Sequence, residues 1–200
     1  MNVTLLAITP DPEKVIETAG RVCYRSEPGD TARFISNRMR EGHLSIFEHA
    51  SATFLIEGIS RACSHQLVRH RLCSFSQESQ RYVELGNSGH LEYVVPDNIL
   101  MDEEAYEVVV GVIDHAELAY KNLRALGIKK EDARFMFPNA TTTRLVMTAN
   151  FRQWLHIFDQ RISQHAQWEI RNVCLDILSI LYQEAENVFK DAYTSKYILW

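Results

Sequence analysis

From Asp102 onward the chain is patterned for helix, and that change of period limits the folds open to it. Ala105, Val109, Val112, Ile113, Ala116, Tyr120 and Leu123 recur at helical spacing on one face, and Gly127 supplies a stop. A further helix is expected after Pro138 through ANFRQWLHIFDQ. The longest is expected from about Ala166 to Ala192, with Ile170, Val173, Cys174, Ile177, Leu181 and Val188 on its inner side. The first half carries a different period. Asn2 to Thr9 (NVTLLAIT) and Ala52 to Glu57 (ATFLIE) read as strands, as do Arg81 to Leu85 and Leu91 to Val95 around a turn at Gly86-Asn87-Ser88-Gly89.

Short helices punctuate those strands. Asp11-Pro12-Glu13 reads as a cap with proline at the first helical position, and Asp30 opens a helix that Gly42 closes. Ser60 is placed to cap a helix through SRACSHQLVR. The expected fold class is α+β: a single domain over residues 1–200, with a mostly antiparallel sheet and flanking helices that dominate the second half.

A chain of 200 residues, 46% apolar and 24% charged, suits one soluble core. Its net charge of −5 gives no general attraction to nucleic acid, so any anion must be met by local basic clusters. Cys23, Cys63, Cys73 and Cys174 are scattered without C-x-x-C spacing, the N-terminus lacks a basic flank, and no apolar run approaches a membrane span. Reduced thiols in a cytoplasmic protein without a membrane partner are expected.

One segment stands against the acidic balance. RHRLCSFSQESQRY, from Arg69 to Tyr82, gathers three arginines, a histidine, hydroxyls and two glutamines after a helix that should pack on the core. Forked guanidinium groups bind phosphates and carboxylates bidentately, so the segment suits a multiply charged anion. Three other segments are similarly rich: Gly42 to His49, Ala133-Arg134 ahead of Pro138, and Asn150 to Glu169. His43, His49, His65, His70, His156 and His165 lack the spacing of a metal site, and no metal is expected. Cys63 and Cys73 lie near arginines that would lower a thiol pKa, yet cysteine is as often a core residue. Ser74, Ser76 and Ser79 are not in a nucleophile elbow, and no Gly-rich phosphate loop occurs.

Arg69-His70-Arg71, seven residues, then Ser79-Gln80-Arg81 resembles the R-H-R-x7-S-[RQ]-R signature of the flavin-dependent thymidylate synthases. Gly42-His43-x-Ser45-x-Phe47-Glu48-His49 is similar to that family's G-H-x-S/T-x-F-E-H segment. Ala133-Arg134-x-x-x-Pro138 is similar to its A-R-x-x-L-P, with Phe137 where leucine is common. Arg161-x-x-x-His165-Ala166-Gln167-x-Glu169-Ile170 is similar to its R-x-x-x-H-A-Q-x-E-I. The resemblance spans about residues 42 to 170.

It implies a homotetramer with shared active sites, each holding FAD, that converts dUMP to dTMP. Methylenetetrahydrofolate is then the carbon donor and NADPH the reductant, and tetrahydrofolate is released. By position it implies flavin contacts from Ser45, Arg69, His70, Arg71, Gln77, Asn150, Phe151, Arg152 and His156, a position where some relatives carry asparagine. It implies dUMP contacts from Gln66, Leu67, Val68, Arg69, Gln77, Glu78, Ser79, Gln80, Arg81, Arg134 and Arg161. Arg161 matches the arginine thought to favour ionisation at uracil N3, and Ser79 is assigned to binding rather than attack.

These assignments agree with elementary electrostatics. The phosphate of dUMP wants forked donors such as Arg81 and Arg134, while Arg69, Arg71 and His70 would offset flavin and pyrophosphate charge. Two competing readings remain: a non-catalytic nucleic-acid module built on the arginines, which the acidic balance disfavours, and a metal hydrolase built on the histidines.

Overall fold

The computed structural model describes residues 1–82 and 89–198, with only the backbone considered at residues 24 and 196–198. In chain order the elements are β1 (Asn2–Ile8), α1 (Pro12–Tyr24), α2 (Thr31–Arg40), β2 (Ser51–Ser60), α3 (Arg61–Leu67), β3 (Ser74–Gln77) and α4 (Asp97–Leu100). They continue with α5 (Glu103–Ala125), α6 (Lys130–Ala133), β4 (Thr142–Asn150), α7 (Phe151–Arg161), α8 (Trp168–Glu184) and α9 (Glu186–Ile198). Single 3-10 segments occupy Leu44–His49 and Arg134–Met136. The strands form an antiparallel sheet in the order β1-β2-β4-β3, so the α+β class holds.

Two compact units emerge: residues 1–57, 66–76 and 146–200 in the first, residues 58–65 and 77–145 in the second. In the first unit β1 pairs with β2 from Asn2↔Glu57 to Ile8↔Ala52, with a bulge between Leu5 and Ala7. Ala52, Phe54 and Ile56 point inward from β2, as the period of two requires. The edge of Phe54 meets Trp154 at 5.4 Å, and Phe151 and Phe158 pack on Phe189 at 5.0 and 5.9 Å. Such edge-to-face pairs stabilise beyond the area they bury, by about 0.5–1.5 kcal/mol each. Asp30 caps α2 through Arg33 N–H at 3.0 Å, and Gly42 terminates the segment with φ 73°.

Three expectations need correction. Asp11 precedes α1 but has φ 44° and makes no side-chain cap. The helix expected from Ala166 to Ala192 is two helices, broken at Ala185 (φ −152°, ψ 69°), and α5 exceeds both at 23 residues. The break is held from a distance: Asn187 donates its N–H and Nδ2 to the Glu13 carboxylate at 2.8 and 2.6 Å, which caps the first turn of α9 from α1. Strand β4 falls where only a connection was expected. Its alternation of buried Thr143, Leu145, Met147 and Ala149 with more exposed neighbours is nevertheless plain once seen.

In the second unit Ser60 Oγ accepts the Cys63 N–H at 3.0 Å, the cap its position suggested. Asp102 does the same for α5 through Ala105 N–H, and Gly127 follows with φ 83°. Tyr120 packs on Phe137 with its ring tilted by 35° at 4.7 Å, and Ile113 is also buried. Val112, expected on the same face as Ile113, is 56% exposed, because the buried stripe centres on Ile113 and Tyr120. Val112 then sits about a quarter turn away. The strand expected at Leu91–Val95 reduces to a single bridge, Tyr93 with Thr141. Arg81 and Tyr82 form a turn, and the rest of the strand and turn expected over Arg81–Gly89 lies outside the described residues, apart from Gly89. Among the described residues, no helix is long and apolar enough to cross a membrane.

Candidate active site

A cleft of about 1240 Å³ opens in the first unit between the turn that follows α3, the 3-10 segment Leu44–His49 and one face of α7. Helix α7 makes the wall because Asn150 Oδ1 accepts the Gln153 N–H at 2.8 Å and so fixes where the helix starts. From that start Phe151, Trp154, Ile157 and Phe158 turn into the core. Arg152, His156, Asp159 and Gln160 are left on the cleft side, with Arg161 at the last helical position. The turn after α3 contributes Arg69, His70 and Arg71, and the 3-10 segment contributes Leu44 and Glu48.

Charge in the cleft is weighted toward cations. Arg152 pairs with Glu48. The guanidinium groups of Arg69 and Arg71 have no ion-pair or hydrogen-bond partner among the described residues and are solvent-exposed. His70, by contrast, is 6% exposed and accepts a hydrogen bond at Nε2 from Arg161 Nε at 3.1 Å. Burial, reinforced by the positive charge of Arg161 and by His156, pushes its pKa down to about 4. The positive charge that the sequence lent to His70 is therefore absent near neutral pH: a buried imidazole beside a guanidinium is held neutral.

The thiols do not support nucleophilic catalysis. Burial pushes Cys73 up to about 11 despite a hydrogen bond with Gln153, and Cys174, fully buried, up to about 12. Among the described residues no three His, Cys, Asp or Glu side chains converge on a metal position.

The remaining predicted residues of the first unit divide by burial. Ser45 lies in the 3-10 segment but faces solvent. Leu67 and Phe151 are core residues, 1% and 0% exposed, so their side chains are not available to a ligand, while Val68 is exposed. Gln66 donates Nε2 to Gln167 Oε1 at 3.4 Å. The same oxygen caps α8 by accepting the Glu169 and Ile170 N–H groups at 3.1 and 3.2 Å.

The second unit holds Gln77, Glu78, Ser79, Gln80, Arg81 and Arg134. Gln77 Nε2 donates to Ser64 Oγ at 2.9 Å and Thr143 Oγ1 at 3.2 Å, leaving its carbonyl as the free end. Arg81 pairs with the Glu131 carboxylate at 3.0 Å, and Arg134 Nε donates to the Glu131 carbonyl at 3.0 Å. Glu78 is engaged by Arg144 at 2.9 Å, and Ser79 Oγ accepts the Arg81 N–H at 3.3 Å. Arg61 joins this group and was missed from sequence. Its pKa is lowered by burial and then by the charge of Arg134, with Glu78 opposing. An arginine one residue past the capping Ser60 was the available signal, obscured because the segment read simply as helix.

Residues 4–186 match the sequence profile of the family described as thymidylate synthase complementing protein. The flavin-dependent thymidylate synthase of Geobacter sulfurreducens is 42% identical over 96% of this chain and 87% of its own length. Those of Clostridium tetani and Pyrococcus furiosus are 36% and 39% identical, over 95% and 89% of this chain and 86% and 78% of theirs. With a profile match across most of its length and relatives at this identity, the chain belongs to the flavin-dependent thymidylate synthase family.

Proposed function

We propose that the protein is a flavin-dependent thymidylate synthase that methylates dUMP to dTMP. In this reading FAD carries the hydride, methylenetetrahydrofolate gives the carbon, NADPH is the reductant and tetrahydrofolate is released. The observation that carries the reading is the cleft, which collects Arg69, Arg71, Asn150, Arg152, His156 and Arg161 from two segments far apart in sequence. Its size fits a dinucleotide better than a small metabolite, since ordinary small-ligand pockets span about 300–1,000 Å³. Its chemistry fits too: unpaired Arg69 and Arg71 suit a pyrophosphate, and Leu44, Leu72 and Leu155 offer apolar contact to a ring system.

FAD bound there would supply the reducing hydride. The chain's own part is binding and electrostatics. Arg69 and Arg71 bind anionic oxygens, and Asn150 at the cap of α7 and His156 within it offer hydrogen bonds. Arg81 and Arg134, with Arg61 nearby, suit the monophosphate of dUMP, whose charge persists throughout the reaction. Arg161 suits the uracil ring, where a fixed cation favours the N3-deprotonated form and so activates the base. A preorganised charge of this kind contributes most when it meets charge that develops during the reaction. Gln77, with its amide nitrogen held by Ser64 and Thr143, presents a carbonyl to a ligand donor. We also assign to this reading a single catalytic domain, a cytoplasmic homotetramer with active sites shared between subunits, and no nucleic-acid partner. Anaerobic incubation with FAD, NADPH, methylenetetrahydrofolate and dUMP should yield dTMP and tetrahydrofolate. Failure to form dTMP, or release of dihydrofolate in place of tetrahydrofolate, would contradict the assignment.

A further inference from the structure

His70 is the residue of the arginine-rich turn that the protein withdraws from water, while Arg69 and Arg71 on either side stay exposed. Its Nε2 lies 3.1 Å from Arg161 Nε. A guanidinium has donors and no acceptor, so the nitrogen that meets it must carry the lone pair, and the ring proton sits on Nδ1. Burial and the neighbouring positive charge keep the ring in that neutral form, with a pKa down at about 4, so the lone pair is present throughout the neutral range. The bond occupies one donor of Arg161 and restrains rotation of its planar head. What remains free among the described residues is the terminal edge, Nη1 and Nη2, a pair of parallel donors matched to two adjacent acceptors on a planar ligand.

We propose that His70 is a positioning residue for Arg161: its Nε2 accepts from Arg161 Nε and holds the guanidinium so that the Nη1/Nη2 edge meets the pyrimidine. This rests on the proposed role of Arg161 in activating uracil. Loss of the acceptor leaves the charge of Arg161 in the cleft, so dUMP is still attracted, but the guanidinium is no longer aimed. The consequence falls on kcat more than on the KM for dUMP.

The two amide side chains separate the functions of the ring. Glutamine Oε1 reaches the place of imidazole Nε2, whereas asparagine reaches only the place of Nδ1. The full-length protein is prepared as His70→Asn, His70→Gln, Arg161→Ala and the double variant His70→Asn/Arg161→Ala, and each is checked for flavin by its visible spectrum. His70→Asn is expected to keep the flavin spectrum and lose about 10- to 100-fold in kcat, the range of one hydrogen bond to a charged group. His70→Gln recovers most of that loss, and His70→Asn costs less than about threefold in the Arg161→Ala background, as expected for residues acting as one unit. The proposal is overturned if the two substitutions multiply, if His70→Gln is as slow as His70→Asn, or if both His70 variants lose flavin while Arg161→Ala keeps it. If Arg161→Ala itself turns over normally, the role of Arg161 fails first and that of His70 with it.

Discussion

Arg161 ends α7 half-buried, its Nε committed to a neutral imidazole and its terminal nitrogens left for a ligand. Arg161→Ala should leave flavin binding intact and slow dTMP formation by about 100- to 1,000-fold, the usual loss when a charge-matched donor is removed. Normal single-turnover rates in that variant would refute the assignment. Arg69 and Arg71 have the opposite character, exposed and unpaired, so replacing either with alanine should raise the FAD dissociation constant about tenfold or more in a fluorescence titration. The thiols give a further check at this scale. Cys63 and Cys174 are fully buried and Cys73 is pushed up to about 11, whereas Cys23 is exposed. Alkylation of the native protein at mildly alkaline pH should therefore label Cys23 first, and rapid labelling of Cys73 would show the cleft wall to be open. The spacing of Arg69, His70 and Arg71 was legible in the sequence. The neutrality of His70 was not, because it depends on burial and on an arginine 91 positions away.

At the scale of elements, the join of α1 to α2 depends on one carboxylate. Glu17, 1% exposed, accepts from Lys14 Nζ, Arg21 Nε, Thr31 Oγ1 and the Gly29 N–H at 2.6 to 3.0 Å. The hydrogen bonds of Lys14 and Thr31 lead in holding its carboxyl far below the ordinary carboxylate range, against the opposing effect of burial. A depressed carboxylate pKa stabilises the fold in full above the unfolded value, and that contribution is lost progressively as pH falls from there through the lower folded value. His70 acts in the same direction from a higher pH: its folded pKa lies below the ordinary 6.5, so the unfolded chain takes up its proton first. Thermal stability should begin to decline below about pH 6.5 and fall more steeply once carboxylates titrate. A flat profile down to pH 4 would contradict this. Glu17→Gln should cost about 3 kcal/mol at neutral pH, measured by denaturant unfolding, since it leaves buried donors facing a neutral amide. Helix periodicity placed α2, α5 and α7 well because their caps are local: Asp30, Asp102 and Asn150 each accept from an N–H three residues on. The break at Ala185 was hidden because its cap comes from Glu13, far away in sequence, and β4 was hidden behind the helical pattern that follows it.

Over the whole chain, an acidic protein with a net charge of −5 still gathers arginines into two local groups, one in each compact unit. The family signature was readable because it is written in residue types and spacing. The resemblance already divided it between flavin and nucleotide; what was not readable was the packing, in which Arg69 to Arg71 fold with α7 in the first unit, while Ser79 to Arg81 fold with Glu131 and Arg134 in the second. On the proposed function, the arginines of the second group meet the monophosphate of dUMP, and Arg69 and Arg71 of the first meet the flavin. Arg81→Ala and Arg134→Ala should raise the KM for dUMP about tenfold or more with the flavin spectrum unchanged, as expected for contacts to a charge present throughout the reaction. A variant that lost flavin instead would place the monophosphate wrongly. The most direct test of the central claim is the visible spectrum of the purified full-length protein supplied with FAD, before and after anaerobic NADPH, with and without dUMP. Stoichiometric bound flavin that NADPH bleaches is expected, with dUMP altering the flavin spectrum or its rate of reduction. Protein that leaves FAD free in solution, or whose bound flavin is indifferent to dUMP, would contradict it.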